Sequence, residues 1–204
     1  MPLNAEQIDD GLRHLRRVDP VMRGLIRQAG PYTLELRRNR FHALVSSIIS
    51  QQISATAAQS IRRRLHDHFT PEILSPQNLS QLTPDVLRTL GLSSQKASYL
   101  LELANRVASG ELRLSRLPRM SDEAVIEELI RIKGIGVWTA QMFLIFSLGR
   151  PDVFPHDDFG VRSAIRKLYG LDELPDKATS HRIAQPWRPY ASIASWYCWR
   201  SLEL

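Results

Sequence analysis

Two adjacent carboxylates, Asp157 and Asp158, stand at the start of a predicted helix that runs to about Tyr169. An ionised carboxylate can stabilise a positive charge that develops during a reaction, and the positive end of a helix dipole keeps it ionised. Neighbouring residues on a helix point in different directions, so we expect only one of the two to face a reacting group. Their spacing does not decide which one. Acidic residues that merely start a helix are the structural alternative.

A pair of glycines interrupts an otherwise helical stretch at Lys133-Gly134-Ile135-Gly136. A glycine inside a helix costs about 1 kcal/mol but adopts positive φ easily, so the pair predicts a turn between helices over residues 122–132 and 137–148. The unpaired amides at the start of the second helix, with Lys133 beside them, can hold a phosphate oxygen. Such a helix-hairpin-helix would position a nucleic acid without reading its sequence. A purely structural turn is the alternative.

The charge distribution favours a polyanionic partner. The net charge is +6, and residues 1–70 hold 11 Lys and Arg against 6 Asp and Glu. This excess includes two arginine clusters, at residues 37–40 and 62–64. A solvated basic surface has the same composition, so charge alone does not establish nucleic-acid binding. The sequence shows neither a signal peptide nor a membrane span, which predicts a cytoplasmic or nuclear protein without a membrane partner.

Helical patterns cover almost every segment, and no run of alternating hydrophobic residues predicts a strand. Helix starts are marked by small capping residues, two of them followed by proline: Asp19, Ser54, Thr83, Ser93 and Ser121. These patterns predict an all-α fold, and a chain of 204 residues fits an arrangement of two helical lobes with a cleft between them. One lobe comprises residues 1–40 plus 153–204, and the other comprises residues 41–152, with the helix-hairpin-helix at about 122–148.

The hairpin and the carboxylate pair together resemble the helix-hairpin-helix superfamily of base-excision DNA glycosylases, most closely the 3-methyladenine DNA glycosylase II branch. In that family a Gly/Pro-rich loop and an aspartate follow the hairpin, as residues 152–161 do here. Further matches are Asp19-Pro20-Val21-Met22, residues 43–54 ending in Ser50-Gln51-Gln52-Ile53-Ser54, and Trp187-Arg188-Pro189-Tyr190 followed by Trp196-Tyr197. The resemblance spans about residues 19–200. The N-terminal β-rich region of the longest family members has no counterpart in this sequence.

This resemblance assigns the catalytic role to Asp158, because the family's aspartate directly precedes an apolar residue at the start of the helix. Cleavage of the bond between base and deoxyribose builds positive charge on the sugar. One carboxylate at ~4 Å stabilises that charge by about 4 kcal/mol at an effective dielectric constant near 20.

Relatives that also cleave the DNA strand have a lysine at the position of Trp138, and many carry an iron-sulfur cluster. A single cysteine, Cys198, cannot hold such a cluster. The resemblance therefore implies a monofunctional enzyme that hydrolyses the glycosidic bond, leaves an abasic site and uses no cofactor. The one metal it allows is a structural monovalent cation at the carbonyls of Ile130, Ile132 and Ile135.

By the same resemblance, Trp138, Trp196 and Met142 form the pocket for the extruded base. Aromatic faces attract cations, so positively charged alkylated purines such as 3-methyladenine and 7-methylguanine are the expected substrates. Gln52 occupies the position of the wedge that fills the gap left by the flipped base. The implied DNA contacts of the hairpin are at Lys133, Gly134, Ile135, Gly136 and Thr139.

Two other functions remain open from the sequence. One is a catalytically silent helix-hairpin-helix protein that binds damaged DNA, and the other is a glycosylase for mismatched or oxidised bases. The partner in each case is double-stranded DNA, and relatives act as monomers without an obligate protein partner. The sequence does not rank the alkylated bases, because the width of the pocket depends on packing.

Overall fold

A computed structural model describes residues 3–204, which form twelve α-helices and no strand. The predicted all-α class is thereby confirmed. In chain order the helices are α1 (Ala5–Val18), α2 (Pro20–Ala29), α3 (Arg40–Ser50), α4 (Ala55–His68), α5 (Pro76–Ser80), α6 (Pro84–Thr89), α7 (Ser94–Ala108), α8 (Asp122–Ile130), α9 (Val137–Phe143), α10 (Phe159–Leu168), α11 (Lys177–Ala184) and α12 (Ala191–Ser201). Short 3₁₀ turns cover Leu117–Arg119 and Gln185–Trp187, and a π-helical turn covers Leu144–Leu148. Within the described part of the chain, every helix is too short or too polar to cross a bilayer.

The chain divides into two compact units. The first unit takes the start of the chain up to Leu36 together with Leu144–Leu204, and it contains α1, α2, α10, α11 and α12. The second unit is the continuous stretch Arg37–Phe143 and contains α3 to α9. The limits predicted from the sequence lie after residues 40 and 152. The second limit lies earlier than that, where α9 passes into the π-helical turn.

Side-chain caps fix the helix starts at predicted positions. The hydroxyls of Ser54, Ser93 and Ser121 each accept a hydrogen bond of 3.2 Å from the amide three residues further on. Thr83 accepts from the amide of Val86 at 3.4 Å. Each cap satisfies one of the amides that a helix start leaves without an intrahelical partner, so the local sequence determines where these helices begin.

Asp19 joins the start of α2 to the C-terminal half of the first unit. This carboxylate is buried, and its Oδ1 accepts from the amides of Val21 at 2.9 Å and Met22 at 3.2 Å. Its Oδ2 accepts from the Tyr169 hydroxyl at 2.5 Å and from the Trp187 indole at 2.9 Å. Burial and the bond to Asp19 raise the pKa of Tyr169, so the hydroxyl keeps the proton that it donates. The Asp19-Pro20 motif and the Trp187-Arg188-Pro189-Tyr190 motif, which lie far apart in the sequence, therefore meet at the Asp19 carboxylate.

Candidate active site

The structure gives Asp157 and Asp158 different environments. Asp158 caps α10, where its Oδ1 accepts from the amide of Val161 at 2.8 Å, and the residue is only 9% exposed. The side chain of Asp157 is 70% exposed and lies 3.1 Å from Nε2 of His156. Burial lowers the pKa of that histidine, which favours its neutral form. Asp158 is thus a buried carboxylate and Asp157 a surface one. Their spacing in the sequence did not predict this difference.

A second donor reaches Asp158 from α12. Nε1 of Trp199 donates to Oδ1 at 2.8 Å, and the Trp199 ring packs on Phe146 with 5.4 Å between ring centroids. Gly160 leaves room for this contact, since a Cβ there would lie 3.0 Å from Cδ1 of Trp199 and 3.1 Å from Oδ1 of Asp158. Trp199 was not among the site residues predicted from the sequence. The available signal was its spacing of three residues from Trp196, which places both indoles on one face of a helix.

Trp196 lies in the core of the first unit. It is 8% exposed, and its ring meets those of Tyr32 and Tyr197 nearly edge-on, each at 4.9 Å between centroids. The guanidinium carbon of Arg200 lies 6.0 Å from the centroid of the Trp196 ring. These contacts leave little of the indole exposed, so any surface that it offers to a base is small.

The predicted helix-hairpin-helix is present in the second unit. α8 ends at Ile130, earlier than the predicted residue 132, and α9 begins at the predicted Val137. Residues 137–148 were expected to form one helix, but their last part, Leu144–Leu148, is the π-helical turn.

Backbone bonds close the hairpin itself. The amide of Ile135 donates to the carbonyl of Ile132 at 3.0 Å, and the first intrahelical bond of α9 runs from the Ala140 amide to the Gly136 carbonyl, also at 3.0 Å. The amides before Ala140 have no carbonyl to bond within the helix, as at every helix start. This is the backbone arrangement on which the predicted phosphate contact depends.

The hairpin residues differ in exposure. Lys133 and Gly136 are exposed, whereas the side chain of Ile135 is buried. Thr139 is also buried, at 4% exposure, so its side chain packs inside and only its backbone is a candidate for contact with DNA. Thus the outer surface of the hairpin is mostly backbone plus one ammonium group.

Trp138 and Met142 lie on α9 directly after the hairpin. Trp138 is 45% exposed, which is unusual for so large an apolar side chain, and Met142 is half-buried. Residues four apart on a helix share a face, so the two side chains border one strip of the α9 surface. The exposed part of an indole is a flat apolar surface on which an aromatic ring can stack.

Gly134 is required by both its backbone and its surroundings. Its φ is +85°, and a Cβ at this position would lie 2.1 Å from Cδ2 of Tyr99. We expect Gly134→Ala to lower the free energy of unfolding by about 2–4 kcal/mol, because positive φ is strained for alanine and the Tyr99 ring must move. Urea denaturation followed by circular dichroism measures this change.

Gly136→Ala is the matched control for this prediction, since a Cβ at residue 136 meets nothing within 4 Å. Its expected cost is at most about 1 kcal/mol, the penalty for alanine at a helix start. Equal costs at the two positions would show that the close approach of Tyr99 to Gly134 does not matter for stability.

The loop that carries Gln52 is held in a strained conformation. Gln52 is exposed and has a φ of +54°, and among residues 3–204 no other non-glycine residue has positive φ. Nζ of Lys96 donates to the carbonyls of Ile49 at 2.8 Å and Gln51 at 2.5 Å, and Nε2 of Gln51 donates to the Gly134 carbonyl at 2.7 Å. The loop is thus tied to α7 and to the hairpin. Left-handed backbone costs a non-glycine residue about 1–2 kcal/mol, and these bonds offset that strain.

Most of the net positive charge lies in the second unit. Residues 37–143 hold 14 Lys and Arg against 9 Asp and Glu, whereas the first unit holds 13 against 12. Arg62 lies close to the Gln52 loop, since its Nη1 donates to the Ser50 hydroxyl at 2.8 Å. The exposed glutamine, the hairpin and the basic excess therefore belong to the same unit.

No group of three or more His, Cys, Asp and Glu side chains within residues 3–204 is arranged to hold a metal ion. Cys198 is fully buried in α12, and burial raises the pKa of its thiol. A thiol in such a place packs as a small apolar group rather than reacting.

Comparison with known proteins shows which family this chain resembles in sequence and structure. A family model described as HhH-GPD superfamily base excision DNA repair protein matches residues 45–189. The Bacillus subtilis (strain 168) protein YfjP, provisionally named a DNA-3-methyladenine glycosylase, is 37% identical over 80% of this chain, which spans only 59% of YfjP. DNA-3-methyladenine glycosylase 1 of Schizosaccharomyces pombe is 31% identical, with 94% of this chain and 86% of that protein covered. The solved structure of S. pombe 3-methyladenine DNA glycosylase Mag1 in complex with abasic DNA superposes with a TM-score of 0.86 at 30% identity, covering 96% of this chain and 97% of Mag1.

Proposed function

This chain belongs to the HhH-GPD superfamily of base excision DNA repair proteins, and we propose that it is a monofunctional DNA glycosylase that removes alkylated bases from duplex DNA. The reaction is hydrolysis of the N-glycosidic bond, with 3-methyladenine and 7-methylguanine as representative substrates and an abasic site as product. The relatives named as 3-methyladenine glycosylases support this choice of substrate class.

The observation that carries the proposal is the buried carboxylate of Asp158 at the start of α10. In the reaction, positive charge grows on the deoxyribose as the base departs, and a fixed anion beside the sugar lowers the energy of that state. The same carboxylate orients or activates the attacking water. Asp157 is a poorer candidate, because its exposed side chain is screened by solvent and lies against His156.

A charged alkylated base is already a good leaving group, so its departure requires little help from a general acid. This explains how one carboxylate suffices in the proposed mechanism. The exposed face of Trp138 would hold the extruded base, since an indole attracts a cationic ring by about 0.5–2 kcal/mol. Trp138 stands where strand-cleaving relatives have lysine, so the site offers no amine for a Schiff base with the sugar.

In this proposal, the second unit binds the DNA. The left-handed Gln52 projects from a loop that Lys96 and Gln51 hold rigid, which suits a wedge that fills the gap left by the flipped base. Its amide can hydrogen-bond to the base left without a partner. The amides at the start of α9 and the ammonium group of Lys133 would hold a backbone phosphate.

The family also implies a monovalent cation in the hairpin, at the carbonyls of Ile130, Ile132 and Ile135. Their donor chemistry fits, because hard cations prefer carbonyl oxygens. The Ile132 carbonyl also accepts from the Ile135 amide at 3.0 Å, which leaves it a second lone pair for such an ion. We assign the ion a structural role only.

A panel of lesion-containing duplexes tests the proposal. We expect the protein to release 3-methyladenine and 7-methylguanine, and the product strand should break only after alkali, which cleaves abasic sites. Chromatography of the released bases and denaturing gels with and without alkali provide the two readouts. Strand breakage without alkali would contradict the monofunctional assignment.

The same panel separates the alternatives. Release of mismatched or oxidised bases instead of alkylated ones would indicate the second type of glycosylase, and binding without release would indicate a silent DNA-binding protein. We further propose that the protein acts as a monomer on DNA, in the cytoplasm of a bacterium or the nucleus of a eukaryote.

A further inference from the structure

We propose that Trp199 is a positioning residue for the reaction, and that its indole N–H fixes the orientation of the Asp158 carboxylate. This inference rests on the proposed function, because it assigns a partner to the proposed catalytic group. It does not make Trp199 a catalytic residue, since the indole acts through Asp158.

The hydrogen bonds of Asp158 go beyond what a helix cap needs. A capping aspartate satisfies amides of its own helix, as Asp158 does with Val161 at 2.8 Å. At the surface cap Asp176, both hydrogen bonds that affect the carboxylate come from Thr179 of the same helix. Asp158 accepts an additional bond of 2.8 Å from Trp199 on α12, a different helix. That extra bond satisfies no amide at the start of α10; it only restrains the carboxylate.

Two donors from different directions fix a carboxylate more firmly than one. With the amide of Val161 alone, the carboxylate could still turn about its Cα–Cβ and Cβ–Cγ bonds. The indole N–H of Trp199 meets the same Oδ1 from another helix and removes that freedom. Stabilisation of a growing charge depends steeply on where the anion lies, and a misplacement of 1 Å can cost about a hundredfold in rate.

The indole of Trp199 is itself held in place. Phe146 packs on its ring, and Gly160 allows its close approach, with only 3.3 Å from the position of a Cβ at residue 160 to Nε1 of Trp199. Any side chain at residue 160 would push against both the indole and the carboxylate. Gly160 is therefore required here because it leaves space for the indole and the carboxylate, and not because it forms a turn or has positive φ.

The test compares two variants of α12 that each remove one hydrogen bond. Trp199→Phe keeps an aromatic ring against Phe146 but loses the N–H, whereas Tyr197→Phe loses the bond of the Tyr197 hydroxyl to the Gly30 carbonyl, 2.9 Å long. Single-turnover release of 3-methyladenine at saturating protein measures the chemical step. Affinity for a duplex with a tetrahydrofuran abasic-site analogue measures binding, and circular dichroism measures the fold.

We expect Trp199→Phe to reduce the single-turnover rate by about tenfold to a hundredfold and to change the affinity for abasic-site DNA by less than about threefold. Tyr197→Phe should leave the rate unchanged. Because Trp199→Phe also replaces the indole with a smaller ring, a second variant replaces Trp199 by 3-benzothienylalanine, in which sulfur takes the place of the N–H on the same ring shape. It should be slowed to the same extent.

Three results would overturn the role of Trp199: a wild-type rate in either Trp199 variant, an equal loss of rate and of DNA affinity, or an equal loss of rate in Tyr197→Phe. If the wild-type protein releases base and the Trp199 variants do so at the same rate, only this inference fails. If the wild-type protein releases no base from any duplex, the proposed function fails with it.

Discussion

Replacing Asp158 by Asn is expected to reduce the single-turnover rate of 3-methyladenine release by about a thousandfold. The substitution removes the negative charge and little else, because asparagine caps helices as well as aspartate does, and its Oδ1 can still accept from Val161 and Trp199. At ~4 Å and an effective dielectric constant near 20, the lost attraction is about 4 kcal/mol. Affinity for abasic-site DNA should remain, since the hairpin and the Gln52 loop are unchanged.

Asp157→Asn is the control, because it makes the same replacement of a carboxylate by an amide at the neighbouring residue. Its side chain is 70% exposed, so we expect a change in rate of less than about threefold. A full rate in Asp158→Asn, or a thousandfold loss in Asp157→Asn, would show that the assignment of the catalytic carboxylate is wrong.

The largest expected effect on stability is at Asp19. Asp19→Ala leaves the Trp187 indole, the Tyr169 hydroxyl and two amides of α2 without their acceptor in a buried site. We expect the free energy of unfolding to decrease by about 3–5 kcal/mol, which lowers the melting temperature by roughly 10 °C. Urea denaturation and calorimetry measure the two quantities.

Asp176→Ala provides the comparison, since Asp176 also caps a helix but lies on the surface. Because solvent can replace the lost hydrogen bond at an exposed cap, we expect Asp176→Ala to cost only a small part of what Asp19→Ala costs. If the two substitutions destabilise the protein equally, Asp19 acts only as a cap, and its bonds to Trp187 and Tyr169 add nothing to stability.

Local chemistry made much of the fold predictable. Serine, threonine and aspartate caps mark helix starts because their side chains accept from amides within three residues. The glycines of the hairpin mark a turn because glycine is costly inside a helix and adopts positive φ easily. The start of α9 at Val137 and the position of α10, which Asp158 and Tyr169 cap at its two ends, were therefore predicted from sequence. The family resemblance added the functional meaning of these elements.

Contacts between distant residues were not predictable in this way. Nothing in the local sequence shows that Trp199 donates to Asp158, 41 residues earlier, or that Gln51 reaches Gly134, 83 residues later. The sequence likewise gives no sign that Lys96 donates to two carbonyls at the end of α3. These side chains have partners only once the helices have packed, so periodicity and capping rules do not detect them.

Assembly of the first unit from both ends of the chain has a consequence for its synthesis. The continuous stretch Arg37–Phe143 can fold as soon as it has left the ribosome, but α1 and α2 must wait for α12 before their core is complete. A nascent chain that has passed Asp158 but not Trp199 therefore contains the hairpin and the carboxylate but not the indole that donates to it. The order of translation thus makes the bond between Trp199 and Asp158 one of the late contacts of the first unit, formed only after α12 has been synthesised.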